Sequence, residues 1–229
     1  MELQVIFEDN HLIAVNKRSG DIVQGDKTGD VPLSEVIKDY LKVKYDKPGN
    51  VFCGVIHRID RPVTGVVLFA KTSKALSRMS EQFRDKQVKK TYWAIVKNKP
   101  ASEKGNLVHY LLKDERTNKS KAFLKEVKDA KFSELNFKLI ASGERYHLLE
   151  VDPLTGRHHQ IRAQLSAMGC PIKGDLKYGS ERSNPDGSIS LHARRIEFVH
   201  PVTGEQQIIE ATVPDDRLWK DLEIMASAG

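Results

Sequence analysis

The sequence predicts a chain that mixes short buried strands with amphipathic helices, and two observations carry this. Apolar runs such as 51–56 and 66–70 are short, rich in β-branched residues and bounded by Gly or Pro, which marks buried strands. Other stretches space their apolar residues by three and four. Leu33, Val36, Ile37, Tyr40 and Leu41 form one such helical face, Leu76, Met79 and Phe83 a second, and Ile161, Leu165 and Met168 a third.

In chain order, 5–7 and 12–15 flank Glu8-Asp9-Asn10-His11 and predict a β-hairpin, which 16–20 closes. The segment 25–29 reads as a polar turn, and Pro32 opens the first helix. After the strands at 51–56 and 66–70, Thr72 or Ser73 caps the second helix. A strand over 88–96 follows, with Val88, Lys90, Tyr92, Ala94 and Val96 on one side and Lys89, Thr91, Trp93 and Ile95 on the other. The turn at 100–105 leads to 113–131, a charged surface segment with a short strand-like Ala122-Phe123-Leu124. Strands are expected at 132–140 and 146–151, then a turn at Pro153, Thr155 and Gly156 before the third helix, which Gly169 stops. The remainder predicts a strand from 191 to 200, a turn at 201–204, a strand at 206–213 and a last short helix capped at Asp215-Asp216.

The stretch VFCGVIHRIDRPVTGVVLFAK, 51–71, is the chemical centre of the chain. Its two apolar runs enclose His57, Arg58, Asp60 and Arg61, with Pro62 and Gly65 forcing a tight connection. Cations beside a carboxylate favour its charged form, so Asp60 reads as a fixed anion able to act as nucleophile or base. Read from the residues alone, Arg58 and Asp60 serve equally as a structural pair pinning the loop. Tyr92 is open in the same way between a core strand residue and a flat apolar face with a hydroxyl tip. Arg157, His158 and His159 precede the third helix, where backbone N–H groups favour a phosphate. The two histidines are adjacent, so their side chains are expected to diverge.

HRIDRPVTG at 57–65 resembles the HRLDxxTSG signature of the RluA-type pseudouridine synthases, which isomerise uridine to pseudouridine in RNA. Ile59 replaces a Leu, Val63 loses the first hydroxyl of the pattern and Thr64 keeps the second. Lys90, Tyr92 and Ala94 resemble the family's K-x-Y-x-A element, and TGRHHQIR at 155–162 its TGRxHQIR element. The run 171–179 resembles a related GDxxYG run, while Arg18 replaces the Pro of the family's opening NKP. The resemblance spans nearly the whole chain. It implies an α+β fold, a mixed and mostly antiparallel sheet split by a central catalytic cleft with flanking helices, and a single catalytic domain over 1–229 without an S4-type module. It further implies Asp60 as nucleophile, Arg58 as the wedge replacing a flipped base, Tyr92 against the base, and Arg162 paired with Asp60. Ile161 or Leu165 would form the apolar wall, and Lys89, Lys90 and Arg157 would hold phosphates. No cofactor is required, because the reaction breaks and reforms one glycosidic bond without redox or group transfer.

Composition agrees with this reading. The 229 residues carry a net charge of +6 with a sequence pI near 9.2, which suits a polyanionic partner such as ribosomal or transfer RNA. The excess is local: residues 71–99 hold nine Lys or Arg against two acids, whereas the chain after Gly204 is net acidic. No apolar run approaches the roughly 20 residues of a membrane helix, and the N-terminus lacks the apolar core of a signal peptide, so a cytoplasmic monomer is expected. Cys53 and Cys170 are far apart and read as reduced core residues, and no metal site is expected. Two other classes compete: a non-catalytic RNA-binding protein on the same fold, and a glycosidic hydrolase. The Asp60, Tyr92 and Arg162 set argues against the first, and the lack of a second motif carboxylate against the other.

Overall fold

The computed structural model describes residues 3–26 and 28–228. The first elements in chain order are β1 (Val5–Glu8), β2 (Leu12–Lys17), α1 (Leu33–Lys44), β3 (Gly54–Val55), β4 (Thr64–Ala70), α2 (Ser73–Arg84) and β5 (Lys89–Val96). There follow β6 (Lys104–Asp114), β7 (Lys119–Phe123), β8 (Lys131–Ser142), β9 (His147–Pro153), α3 (Gln160–Ala167), a 3-10 turn (Leu176–Tyr178), β10 (Leu191–Val199), β11 (Gln206–Glu210) and α4 (Arg217–Ser227). This is an α+β chain with two compact units: Met1–Lys89 with Ala193–Thr212, and Lys90–His192 with Val213–Gly229. No helix among the described residues is long and apolar enough to cross a membrane.

In the first unit the strand order is β1-β2-β4-β10, with β11 pairing β10 and β3 pairing β4. The hairpin of β1 and β2 forms as expected, its turn held by Asp9 Oδ1, which accepts from the His11 and Leu12 amides at 2.7 and 2.6 Å. The stretch 16–20 differs from expectation. Asn16 and Lys17 are strand residues, paired with Val66 and Gly65 of β4. The run 51–56 also falls short of a full strand. Only Gly54 and Val55 pair, with Ala70 and Phe69, because β10 takes up the same edge of β4 further along. Leu33, Ile37 and Leu41 of α1 pack on Ile13 and Val15 of β2 and on Val67 and Phe69 of β4. Each such side chain contributes about 1.5–3 kcal/mol on burial. Cys53 joins this core, and burial pushes its thiol up to about 12. The expected polar turn at 25–29 includes Lys27, which lies outside the described residues.

In the second unit the strand order is β5-β9-β8-β6-β7, and its described pairings are antiparallel. Strand β6 had no counterpart in the sequence reading, and with β7 it turns much of the charged 113–131 segment into a hairpin. On one face Trp93, Ile95 and Leu148 pack against Trp219 and Leu222 of α4. Asp216 caps α4 by accepting from the Leu218 and Trp219 amides.

Glu8 ties α1 to the first sheet. Its carboxylate accepts from Lys44 Nζ at 2.7 Å, Lys71 Nζ at 2.8 Å and Tyr45 Oη at 2.6 Å. Burial works to raise its pKa, but these hydrogen bonds outweigh it and hold the group at about 2. A carboxylate so depressed stabilises the fold fully above its ordinary value of 4.5, and the contribution is lost as pH falls from there toward 2. Glu8→Gln is expected to cost about 3 kcal/mol at pH 7 because the buried Lys71 loses its counter-charge. Urea denaturation at pH 7, 4 and 2.5 should show the gap to wild type closing.

Candidate active site

Asp60 is half-buried on the turn before β4, where its carbonyl accepts from the Val63 amide at 3.0 Å. What fixes this turn is Lys17. Its side chain points to the core side of β2, the side of Ile13 and Val15, and is 1% exposed. Its ammonium donates to the carbonyls of Arg18, Arg61 and Val63 at 2.8, 2.9 and 2.8 Å. Burial lowers its pKa to about 8, against the opposing pull of Asp21 and Asp60. The Arg61 carbonyl also accepts from the Gly20 amide, so the turn is gripped from two points of the chain before it.

The rest of the motif is equally committed. His57 Nε2 accepts from the Leu68 amide at 3.0 Å and its ring stacks on Phe83, so this histidine supports the strand. Gly65 lies in β4 rather than in the connecting turn. A side chain there would meet the backbone of Ala193 at 2.3 Å, and φ is +114°. Val63 is buried, in keeping with an apolar residue at that position. Arg58 is exposed. Arg61 is exposed too, and pairs with Asp30 at 2.6 Å.

In the second unit, Tyr92 is half-buried on β5 opposite Val151 of β9. Lys90 is half-buried two residues before it, and burial lowers the pKa of its ammonium. Between them Thr91 Oγ1 donates to Asp152 at 2.8 Å. The TGRHHQIR element builds the start of α3. Gln160 Oε1 accepts from Thr155 Oγ1 at 2.8 Å and from the Arg157 amide at 2.9 Å, while its Nε2 donates to the Glu134 carbonyl. The Arg157 amide is therefore occupied by the folded-back Gln160 side chain and is not a free phosphate ligand. The exposed Arg157 guanidinium donates through Nε to the Phe132 carbonyl and lines a cleft of about 370 Å³ with Lys113, Lys131 and His158.

Arg162 is 5% exposed. Asp175 holds it in a two-pronged pair, Nε to Oδ2 at 2.7 Å and Nη2 to Oδ1 at 2.9 Å, and its guanidinium lies 5.0 Å from the Tyr178 ring centre. The Tyr178 hydroxyl accepts from the Ser120 amide at 2.7 Å and lies 3.0 Å from His159 Nδ1. The His158 and His159 rings do not diverge. They stack at 3.8 Å, because His159 takes the left-handed conformation at φ +51° and turns its ring back over its neighbour. Burial, then the charges of Arg162 and His158, push the His159 pKa to about 2, so it works as a neutral hydrogen-bonding group. Leu165 is fully buried, so of Leu165 and Ile161 only Ile161, 7% exposed, keeps an accessible edge.

The sequence reading assigned no role to Lys17, Asp175 or Tyr178, although the last two lie in the 171–179 run it singled out. Lys17 carried a legible signal, since in LIAVNK it falls on the same side as Ile13 and Val15. The 171–179 run marked Asp175 but nothing tied it to Arg162, because two left-handed glycines, Gly169 and Gly174, turn the chain between them.

Comparison with known proteins bears on this geometry. Residues 11–167 match the RNA pseudouridylate synthase family. A tRNA pseudouridine synthase C of Vibrio parahaemolyticus is 30% identical, over 97% of this chain and 94% of that one. A ribosomal large subunit pseudouridine synthase C of the same organism is 34% identical, over 92% of this chain and 66% of that one. The solved human RNA pseudouridylate synthase domain containing 4 shares the fold, with a TM-score of 0.79 at 23% identity, covering 98% of this chain and 93% of that one.

Asp175→Ala removes the two-pronged carboxylate from the buried Arg162 guanidinium. It is expected to cost about 3–5 kcal/mol, read as a fall in the urea midpoint at pH 7.

Proposed function

The chain belongs to the RNA pseudouridylate synthase family and is an RNA pseudouridine synthase, and from that premise we propose that Asp60 opens the isomerisation of a uridine in transfer or large-subunit ribosomal RNA. The observation that carries this is the placement of Asp60: a carboxylate on a turn whose carbonyls are clamped by a buried ammonium, within a complete HRIDRPVTG run. Such clamping fits a group whose position matters more than its mobility. The transfer and ribosomal RNA substrates come from the names of the two Vibrio parahaemolyticus relatives.

In this reading the uridine leaves the stack before it reacts, at a cost of a few kcal/mol, since its glycosidic bond is out of reach in a helix. Arg58, exposed and adjacent to the turn, takes the place of the departed base. The bond between uracil N1 and ribose C1′ breaks, the base rotates, and C5 bonds to C1′ while the C5 proton is released and N1 regains one. Every heavy atom of the nucleotide is retained and one proton is exchanged with solvent, so no oxidant, reductant or group donor enters the balance. Tyr92 lies against the base and Ile161 forms the apolar wall. Lys89, Lys90 and the Arg157 guanidinium engage phosphates, which makes affinity fall steeply with salt.

Release of tritium from RNA labelled at uridine C5 reports the reaction directly. Wild type should release label from transfer RNA or large-subunit ribosomal RNA, and Asp60→Ala should lower the rate by about 1,000-fold or more with RNA binding retained. Equal release by both proteins would remove Asp60 from the mechanism.

A further inference from the structure

A second cleft, of about 700 Å³, opens in the unit that carries Tyr92 and Arg162, and none of the HRIDRPVTG, K-x-Y-x-A or TGRHHQIR residues lines it. Four cations line it, Lys97, Arg145, Lys173 and Arg182, against a single carboxylate, Glu181. We propose that this cleft binds the backbone of the RNA substrate at a distance from the reacting uridine, as a built phosphate-and-base site. The proposal rests on the reading that Tyr92 borders the target base.

The cleft is constructed rather than incidental. Lys173 Nζ donates to Asn184 Oδ1 at 2.6 Å, and the buried Asn184 amide in turn donates to Ser188 and Ser190 hydroxyls. Gly174, beside Lys173, packs so closely that a side chain would meet the Ser188 carbonyl at 2.7 Å. Ser180 Oγ accepts from the Gly174 amide and donates to the Arg182 carbonyl, fixing the loop that carries Arg182. Lys97 is partly spent on Glu181, whose two oxygens it contacts at 2.9 and 2.8 Å. Arg145 and Arg182 are exposed.

The one aromatic in the lining is Tyr146. It packs against the Trp93 and Trp219 core and lines the cleft, with Lys173 Nζ 5.9 Å from its ring centre. Cations that track a backbone, set around a partly exposed aromatic ring, are the elements by which proteins hold single-stranded nucleic acid. Position agrees as well. Lys97, the residue after the end of β5, follows Tyr92 by five residues, about 17 Å at roughly 3.3 Å per residue, or about five nucleotides at the 3.4 Å spacing of stacked bases. The cleft would therefore read RNA flanking the target.

The test reverses the two exposed arginines, Arg145→Glu with Arg182→Glu, neither of which touches the catalytic motifs. Binding of unmodified transfer RNA transcripts and of a large-subunit ribosomal RNA fragment is measured against salt, beside tritium release. Affinity in 0.1 M salt for whichever RNA the wild type modifies should fall about tenfold or more, and the log–log salt slope should become shallower by about 1.4, two single-strand contacts. KM should rise with kcat within about twofold of wild type. A control reversal of exposed Lys125 and Lys128 should leave all three values near wild type. RNA affinity and salt slope unchanged in the arginine variant would overturn the proposal, and so would an equal loss in the control. Weakened binding of polyglutamate with RNA binding intact would overturn it in favour of an acidic protein partner. If wild type forms no pseudouridine, the catalytic reading fails, and the cleft is then judged on the binding data alone.

Discussion

The contact between one buried ammonium and three backbone carbonyls sets the geometry on which the candidate active site depends. Lys17 reaches from the end of β2 to the carbonyls of Arg18, Arg61 and Val63, and so holds both flanks of the turn that presents Asp60. A charge this deep is costly. Its pKa near 8 rather than 10.5 corresponds to a penalty on the order of 3 kcal/mol at neutral pH. The sign follows from proton counting: between about pH 8 and 10.5 the unfolded chain binds a proton that the folded one sheds, so this group favours folding more as pH rises. A charge held at that cost to fix one loop is the expected signature of a site whose precision has been placed above stability.

The second unit uses a different device for the same end. Arg162 is held by a paired carboxylate, Asp175, and the chain of contacts continues outward through Tyr178 to His159 and Ser120. Here the buried charge is compensated by a carboxylate, whereas the described hydrogen-bond partners of Lys17 are carbonyl dipoles. Asp175 and Tyr178 of the 174–179 run thus act on Arg162, which lies 13 residues before Asp175. The left-handed His159 serves that arrangement. It stacks the two histidine rings and places a neutral imidazole against the Tyr178 hydroxyl.

Much of this was legible in the sequence because the elements carry strong local signals. The hairpin around Glu8-Asp9, the helix after Pro32, the Thr72 cap and the strand bearing Tyr92 all follow from period, caps and turn chemistry. Where the reading failed, tertiary structure decided. The apolar run 51–56 had the composition of a strand, yet β10 takes the edge it would have paired with. Strand β6 is half exposed and rich in polar residues, so its alternation was diluted. Motif resemblance pointed to Asp60, Tyr92 and Arg162, but the residues that hold Arg162 and the Asp60 turn come from distant or turn-separated positions. Spacing does not reveal a carbonyl acceptor, because every residue has one.

The central claim, that Lys17 fixes the Asp60 turn, is tested most directly by hydrogen exchange on Lys17→Met at a pH and temperature where the variant stays folded. The account predicts that amides across 60–64, Val63 foremost, exchange about tenfold faster or more, the factor expected from loss of roughly 1.4 kcal/mol of hydrogen bonding, while those of β4 beyond Gly65 keep wild-type protection. Unchanged protection across 60–64 in the folded variant would contradict it, showing that the turn holds its shape without the buried ammonium.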